Sequence, residues 1–278
     1  MIIYFGIVTF IFGLLLGSFL NCTAMRICRK EDWVKGKSHC MHCGHDLSAK
    51  DLIPLFSYLS TKGRCRYCRE KISKRYPLTE LTFALLATFM YIAVLKEPLR
   101  GYFDEGADIL VPLVVFIRNI FLTGCLFIIA LVDLEIQEVP DGCLFAGGAA
   151  FFITSPLAYR YNGDGEYFYW LLFRVLAAIG TLAIILALVM LLEKFLHKDA
   201  MGGGDIKLFS LMALYLGYAG SYELVLLSCI LGLIFAFVRK ILYPDSAKEL
   251  PFAPAIAASG FLLLIFSDAI TNWYFGFL

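Results

Sequence analysis

The residues best suited to chemistry in this chain are two aspartates at the edges of apolar stretches. Asp205 lies in Met201 to Lys207, which reads MGGGDIK, and an uncharged apolar segment from Leu208 to Tyr218 follows. Asp133 follows another apolar run and opens the stretch DLEIQEVPD, which ends at Asp141. A carboxylate at the rim of a bilayer core is costly, so its default reading is functional. A plainer reading of Asp205 is an N-cap for a helix beginning at Ile206. Pro140 ends or restarts helix, which puts Asp133 near a helix terminus beside a turn. Two carboxylates brought together in a low-dielectric cleft cannot both ionise freely, so they share a proton. The ionised partner can then deprotonate a water while the protonated one activates a scissile carbonyl, as in aspartic proteases. Gly202, Gly203 and Gly204 would let an extended substrate backbone lie against that edge. Glu135, Glu138 and Asp141 read as solvated loop residues or helix caps.

Other chemistries fail on inventory. The four histidines, at positions 39, 42, 45 and 197, all fall outside the apolar segments. There is no HExxH, which removes an intramembrane zinc protease. There is no GxSxG, and no apolar segment carries a histidine to activate a serine.

The second constellation is sulfur. Of nine cysteines, four form Cys40-x-x-Cys43 and Cys65-x-x-Cys68, with 21 residues between the pairs. Paired CxxC knuckles put four thiolates in tetrahedral reach of one ion, the pattern of a structural zinc site. His39, His42 and His45 lie close enough in sequence to stand in as ligands, although exposed loop histidines are the plainer reading. A loop of this size has too little core to fold unaided, so a metal staple has a physical purpose. Cys22, Cys28, Cys125, Cys143 and Cys229 show no such spacing and suit small apolar roles.

The elements that must position these groups are membrane helices. The 278 residues are 60% hydrophobic, with a mean hydropathy of +0.77. That places the chain among all-α polytopic membrane proteins. At roughly 20 apolar residues per span, eight transmembrane helices are expected, near 2–22, 77–95, 112–132, 142–158, 168–192, 206–219, 223–241 and 252–270. Residues 2–22 read as a retained first span, 23–76 as a small zinc-knuckle loop domain, and 77–278 as a seven-helix membrane domain. The segment from Arg26 to Arg75 holds 13 of the 24 basic residues. By the positive-inside rule this loop is cytoplasmic and both termini face outward. Lys194, Lys198, Lys207, Arg239, Lys240 and Lys248 fall on the same face. Tyr159, Tyr161, Tyr167, Tyr169, Trp170, Trp273 and Tyr274 form an aromatic belt on the other. Both aspartates then lie at the cytoplasmic edge, and a disulfide reading of the cysteines is disfavoured on that side. The basic loop suits anionic lipid headgroups. No aromatic-interleaved motif points to nucleic acid.

These residues together resemble the type IV prepilin peptidases, and the likeness runs almost the whole chain. It is carried by Gly17-Ser18-Phe19-Leu20-Asn21, by Asp51-Leu-Ile-Pro54, by the two knuckles with Gly63-Arg64-Cys65-Arg66, and by ISKRYPLTEL from Ile72 to Leu81. Asp133 to Asp141 matches the segment of the first catalytic aspartate, with Val139 where leucine or isoleucine is usual. Gly202-Gly203-Gly204-Asp205 satisfies the GxGD motif. Pro251-Phe252-Ala253-Pro254 is similar to a late PFGP motif, with Ala253 replacing the glycine. The resemblance implies a bifunctional enzyme of the bacterial inner membrane. It would cleave the basic leader of prepilins or pseudopilins after a glycine at the cytoplasmic face. It would then N-methylate the new amino terminus with S-adenosylmethionine. It also implies Asp133 and Asp205 as the catalytic pair and the four knuckle cysteines as zinc ligands. It assigns no residue to methylation, because there is no Gly-rich Rossmann loop; the end of the first span and the cytoplasmic loop are the segments it leaves for that site.

Three rival readings remain at this point. Another GxGD membrane protease, of the presenilin or preflagellin-peptidase type, would usually have tyrosine before the first aspartate in the presenilin case, whereas Val132 stands here. A transporter using both aspartates as proton carriers would place them near the midplane in repeated halves, and no repeat is visible. A zinc-knuckle scaffold would leave the aspartates unexplained.

Overall fold

A chain this apolar has to satisfy its backbone N–H and C=O groups within each segment, which favours helices. The computed structural model describes residues 1–32, 36–162, 165–197, 201–242 and 250–275. Among them are helices and two isolated bridges, His39 with Asp46 and Arg64 with Lys71, and no strand. Lys198 and Lys248 lie outside the described residues, as do the side chains of Tyr161, Trp273 and Tyr274.

The chain divides into two units, Met1–Ala107 and Asp108–Leu278. The first is built on α1 (Ile2–Cys28), the short α2 (Phe56–Ser60), α3 (Arg75–Met90) and α4 (Lys96–Glu105), the last two joined by a π-helical turn at Tyr91–Leu95. Gly13 and Gly17 let α1 and α3 pack backbone to backbone. A Cβ on Gly13 would sit 2.7 Å from the Cα of Ala84, and one on Gly17 would sit 3.0 Å from the Cα of Glu80. This contact draws α3 into the first unit. The boundary therefore falls after residue 107 instead of after 76, where the loop ends in sequence.

The second unit contains α5 (Leu110–Ile136), α6 (Asp141–Asn162), α7 (Tyr167–Leu196), α8 (Gly203–Leu242) and α9 (Ala253–Phe275). Its core gathers Leu122, Ile129, Phe151, Leu208, Met212, Leu224, Ile256 and Leu263 from α5, α6, α8 and α9. Among the described residues six helices are long and apolar enough to cross a bilayer, and α9 adds the shorter apolar stretch Ala253–Ser267.

The eight expected segments are all helical, but the sixth and seventh belong to one element. At 40 residues, α8 would be about 60 Å long if straight, twice the ~30 Å of a hydrocarbon core. It is broken at Gly217, whose φ of 75° and ψ of −167° lie outside the helical region. Its two limbs run in opposite directions, as their contacts with α9 establish. Phe252 lies 6.3 Å from Phe209, and a Cβ on Gly260 would meet Met212, so α9 runs parallel to the first limb. Phe252 also covers Gly232 and Ser267 donates to Glu223 at 3.3 Å, so α9 runs antiparallel to the second. One glycine in a conformation closed to most residues thus does the work of a loop.

Candidate active site and metal centre

In the second unit the ends of four helices converge. Asp133 occupies the last turn of α5, and Gln137 caps that helix in the left-handed region with φ of 56°. The chain then passes Val139 and Pro140 before α6 begins at Asp141. Asp133 is only 5% exposed. Its Oδ2 accepts a hydrogen bond of 3.0 Å from the backbone N–H of Ala253, the first residue of α9. A carboxylate at a helix N-terminus is favoured by the unpaired N–H groups and the dipole there.

Asp205 reaches the same place from α8. That helix begins at Gly203 rather than at Ile206, and the N–H of Asp205 donates to the carbonyl of Gly202 at 3.1 Å. Asp205 is therefore inside the first turn and is not the N-cap. Its Oδ1 is buried without a hydrogen-bond partner. A buried polar atom left unpaired in a folded protein calls for an explanation. Asp133 lies near enough for its charge to bear on Asp205.

The glycines before Asp205 divide by environment. A Cβ on Gly204 would lie 2.6 Å from the Cβ of Val139 and 2.9 Å from its Cγ2. Gly204 is thus used inside the protein: it seats the first turn of α8 on the turn that follows Asp133. Gly203 has open space around it, and the nearest atom to a Cβ on Gly202 would be Asp205 Oδ2 at 3.8 Å. Lys207 and Asp141 pair at 2.8 Å across the same junction. Both are largely exposed, so the pair contributes no more than about 1 kcal/mol. Glu138 is exposed loop surface.

Sequence reasoning did not single out Ala253 or Val139 as parts of this site. Ala253 stands in the PFAP segment, where it replaces the glycine of the familial motif; the structure gives its N–H to Asp133. Val139 is marked in the sequence only as a departure from the familial leucine or isoleucine, which says nothing of its contact with Gly204.

The cysteines converge in the first unit. The Sγ atoms of Cys40, Cys43, Cys65 and Cys68 all lie within 4.8 Å of one another. The two knuckles repeat one turn. Cys40 N–H donates to His45 O at 2.9 Å and Gly44 N–H to Cys40 O at 2.9 Å; Cys65 N–H donates to Glu70 O at 2.8 Å and Arg69 N–H to Cys65 O at 3.0 Å. Gly44 and Arg69, after the second cysteine of each pair, both have positive φ, 69° and 63°. The backbone N–H groups of Cys43 and His42 bring the Cys40 thiol down to about 6. Cys68, despite the N–H of Glu70, is pushed up to about 12 by desolvation and by its three neighbouring cysteines. Four cysteine sulfurs this close form a donor set that fits a tetrahedral thiophilic metal. The histidines are not among the clustered groups, and His45 packs on Tyr67 with ring centres 3.7 Å apart.

Comparison with known proteins agrees with this division. Residues 11–94 match the bacterial peptidase A24 N-terminal domain, and residues 120–237 match the type IV leader peptidase family. The chain is similar to the prepilin leader peptidase/N-methyltransferase of Bacillus subtilis (strain 168), at 32% identity over 96% of this chain and 96% of that protein. It is similar to the protein of the same name from Aeromonas salmonicida (strain A449), at 30% identity over 98% and 94%. A third, from Pseudomonas aeruginosa, is 27% identical over 98% and 94%. No solved structure matches the chain.

Proposed function

The chain belongs to the type IV leader peptidase family, membrane enzymes that cleave prepilin leaders and N-methylate the new amino terminus, and we propose that Asp133 and Asp205 are its catalytic pair. The observation that carries this reading is the junction of α5, α8 and α9. There Asp133 is oriented by Ala253 N–H, and Asp205 presents an unpartnered buried oxygen. Within one low-dielectric site the two carboxyl groups share a proton. The ionised one takes a proton from water, the hydroxide so formed attacks the scissile carbonyl, and the protonated one donates to the carbonyl oxygen. Asp133 arrives already held, and that limits the reorganisation needed on reaction. Gly203, with open space about it, and Gly202, where an added Cβ would meet only Asp205 Oδ2 at 3.8 Å, are the positions proposed for close approach of the extended substrate backbone.

The substrates are type IV prepilins or pseudopilins, and the methyl donor is S-adenosylmethionine. The enzyme sits in the bacterial inner membrane with its knuckle loop cytoplasmic and both termini outward, as the placement of its basic residues indicates. Co-expression with a prepilin, followed by mass spectrometry of the pilin N-terminus, tests the whole reading. A shortened pilin carrying one added methyl group is expected. A pilin that keeps its leader in the presence of the inserted enzyme would remove the proposal.

The metal is zinc, held by Cys40, Cys43, Cys65 and Cys68, and it staples the loop without entering the reaction. Elemental analysis of protein purified without chelator is expected to find about one zinc per chain. Cys40→Ser with Cys43→Ser should make the loop sensitive to added protease first and lower activity only as a consequence. Metal-free protein with a loop that resists protease would refute the site.

A further inference from the structure

Methylation remains without residues, and the first unit holds a cavity of about 450 Å³ that the peptidase chemistry does not use. That volume is in the usual range for a small-molecule site, roughly 300–1,000 Å³. Ser18, Cys22 and Met25 line it from α1, Ser57 and Tyr58 from α2, and Glu80 from α3.

Glu80 is the unusual member. It is 8% exposed and lies on a helix apolar enough to span a membrane. Its Oε1 accepts from the Ser18 hydroxyl at 2.7 Å, and its Oε2 accepts from the Leu55 N–H at 2.8 Å. Both donors are neutral, so they orient the carboxylate without neutralising it. Leu55 makes its bond from a backbone conformation that branched residues avoid, with φ of 57° and ψ of −48°. Strain of this kind collects where a site needs a group held in place. An ionised carboxylate can accept about four hydrogen bonds, and two positions remain open. Arg26, Arg29, Lys37, Arg64, Arg66 and Lys71 also line the cavity, but both hydrogen bonds to Glu80 come from neutral groups, so its charge is left for a cationic ligand.

Resting on the methyltransferase reading above, we propose that this cavity is where the pilin's new amino terminus is methylated, with Glu80 binding that terminus as an ammonium and taking its proton. Proton transfer to Glu80 exposes the nitrogen lone pair. The nitrogen then attacks the methyl carbon of the sulfonium donor, and the N–C bond forms as the C–S bond breaks. A neutral thioether leaves, the methylated amine retains the positive charge, and Glu80 returns its proton to solvent. The remaining cavity wall accommodates the donor.

The test is Glu80→Gln in the full-length enzyme. The amide can keep both anchors, its oxygen accepting from Leu55 N–H and its nitrogen donating to Ser18 Oγ, while the charge is lost. Prepilin cleavage is expected at the wild-type rate, with methylation reduced about 100-fold or more, the usual worth of a proton-transfer group. Binding of S-adenosylhomocysteine, followed by calorimetry, should be unchanged. Ser57→Trp, which fills the cavity, should cleave normally yet lose both methylation and that binding. Near-normal methylation by Glu80→Gln overturns the proposal, and so does loss of cleavage together with methylation, which would make the carboxylate structural. Retained binding in Ser57→Trp places the donor elsewhere and overturns the cavity assignment. If the wild-type enzyme cleaves but adds no methyl group, the methyltransferase reading itself fails, a result distinguishable from either variant outcome.

Discussion

Asp133→Asn and Asp205→Asn are each expected to abolish prepilin cleavage, by about 1,000-fold or more, because groups that act as one unit fail together. Neither amide can pass a proton between water and carbonyl as the proposed carboxyl pair would. Asparagine is the informative substitution because it keeps the shape. At position 133 the amide oxygen can still accept from Ala253 N–H, so α5 and α9 stay joined. At position 205 the buried Oδ1 is unpartnered, so the exchange removes no hydrogen bond from that atom. Loss of activity in either variant then reports chemistry and not collapse of the junction. The measurement is the mobility shift of a prepilin in membranes, with insertion of the enzyme checked in parallel. Cleavage near the wild-type rate by either variant would remove that aspartate from the pair.

Gly204 carries the second large effect. Even one methyl group there would lie 2.6 Å from Val139 Cβ, and overpacking of this kind costs about 1–3 kcal/mol. If α8 shifts to relieve the clash, Asp205 moves away from Asp133, and small displacements of catalytic groups are expensive. Gly204→Ala should therefore lose roughly 10- to 100-fold in cleavage, with Gly204→Val essentially inactive. The partner is identifiable, so the effect should be reversible from the other side. Val139→Gly in the Gly204→Ala background removes the colliding atoms and should restore most of the activity, a coupling that a double-mutant cycle measures. Gly203→Ala meets nothing within 4 Å and leaves internal packing alone, so any loss in that variant reports the approach of substrate. Wild-type activity in Gly204→Ala, or no recovery with Val139→Gly, would show that Val139 does not set the position of Asp205.

What the sequence determined by itself is what each segment settles locally. A membrane helix satisfies its own backbone, so apolar runs of the right length located all eight segments without knowledge of their neighbours. The CxxC spacing identified the four-cysteine cluster for the same reason, since each knuckle is a short turn closed by its own hydrogen bonds. Asp133 and Asp205 were legible because a carboxylate beside an apolar run is costly wherever the run packs.

Only the tertiary structure decided how these pieces meet. Gly217 appears in sequence as one glycine in an apolar run, and the contacts of the flanking limbs with α9 are what identify it as the turn between them. Gly204 looks like part of a flexible lead-in until Val139 stands against it. Ala253 supplies Asp133 with an N–H from 120 residues away, and every residue except proline carries that donor. Glu80 looks like a helix residue in a familial motif; Ser18 and Leu55 turn it into an oriented buried anion. The physical reason is that helices in a bilayer gain little from hydrophobic burial against one another. Their pairing rests on close approach, single hydrogen bonds and side-chain fit, and none of these leaves a periodic trace in one dimension.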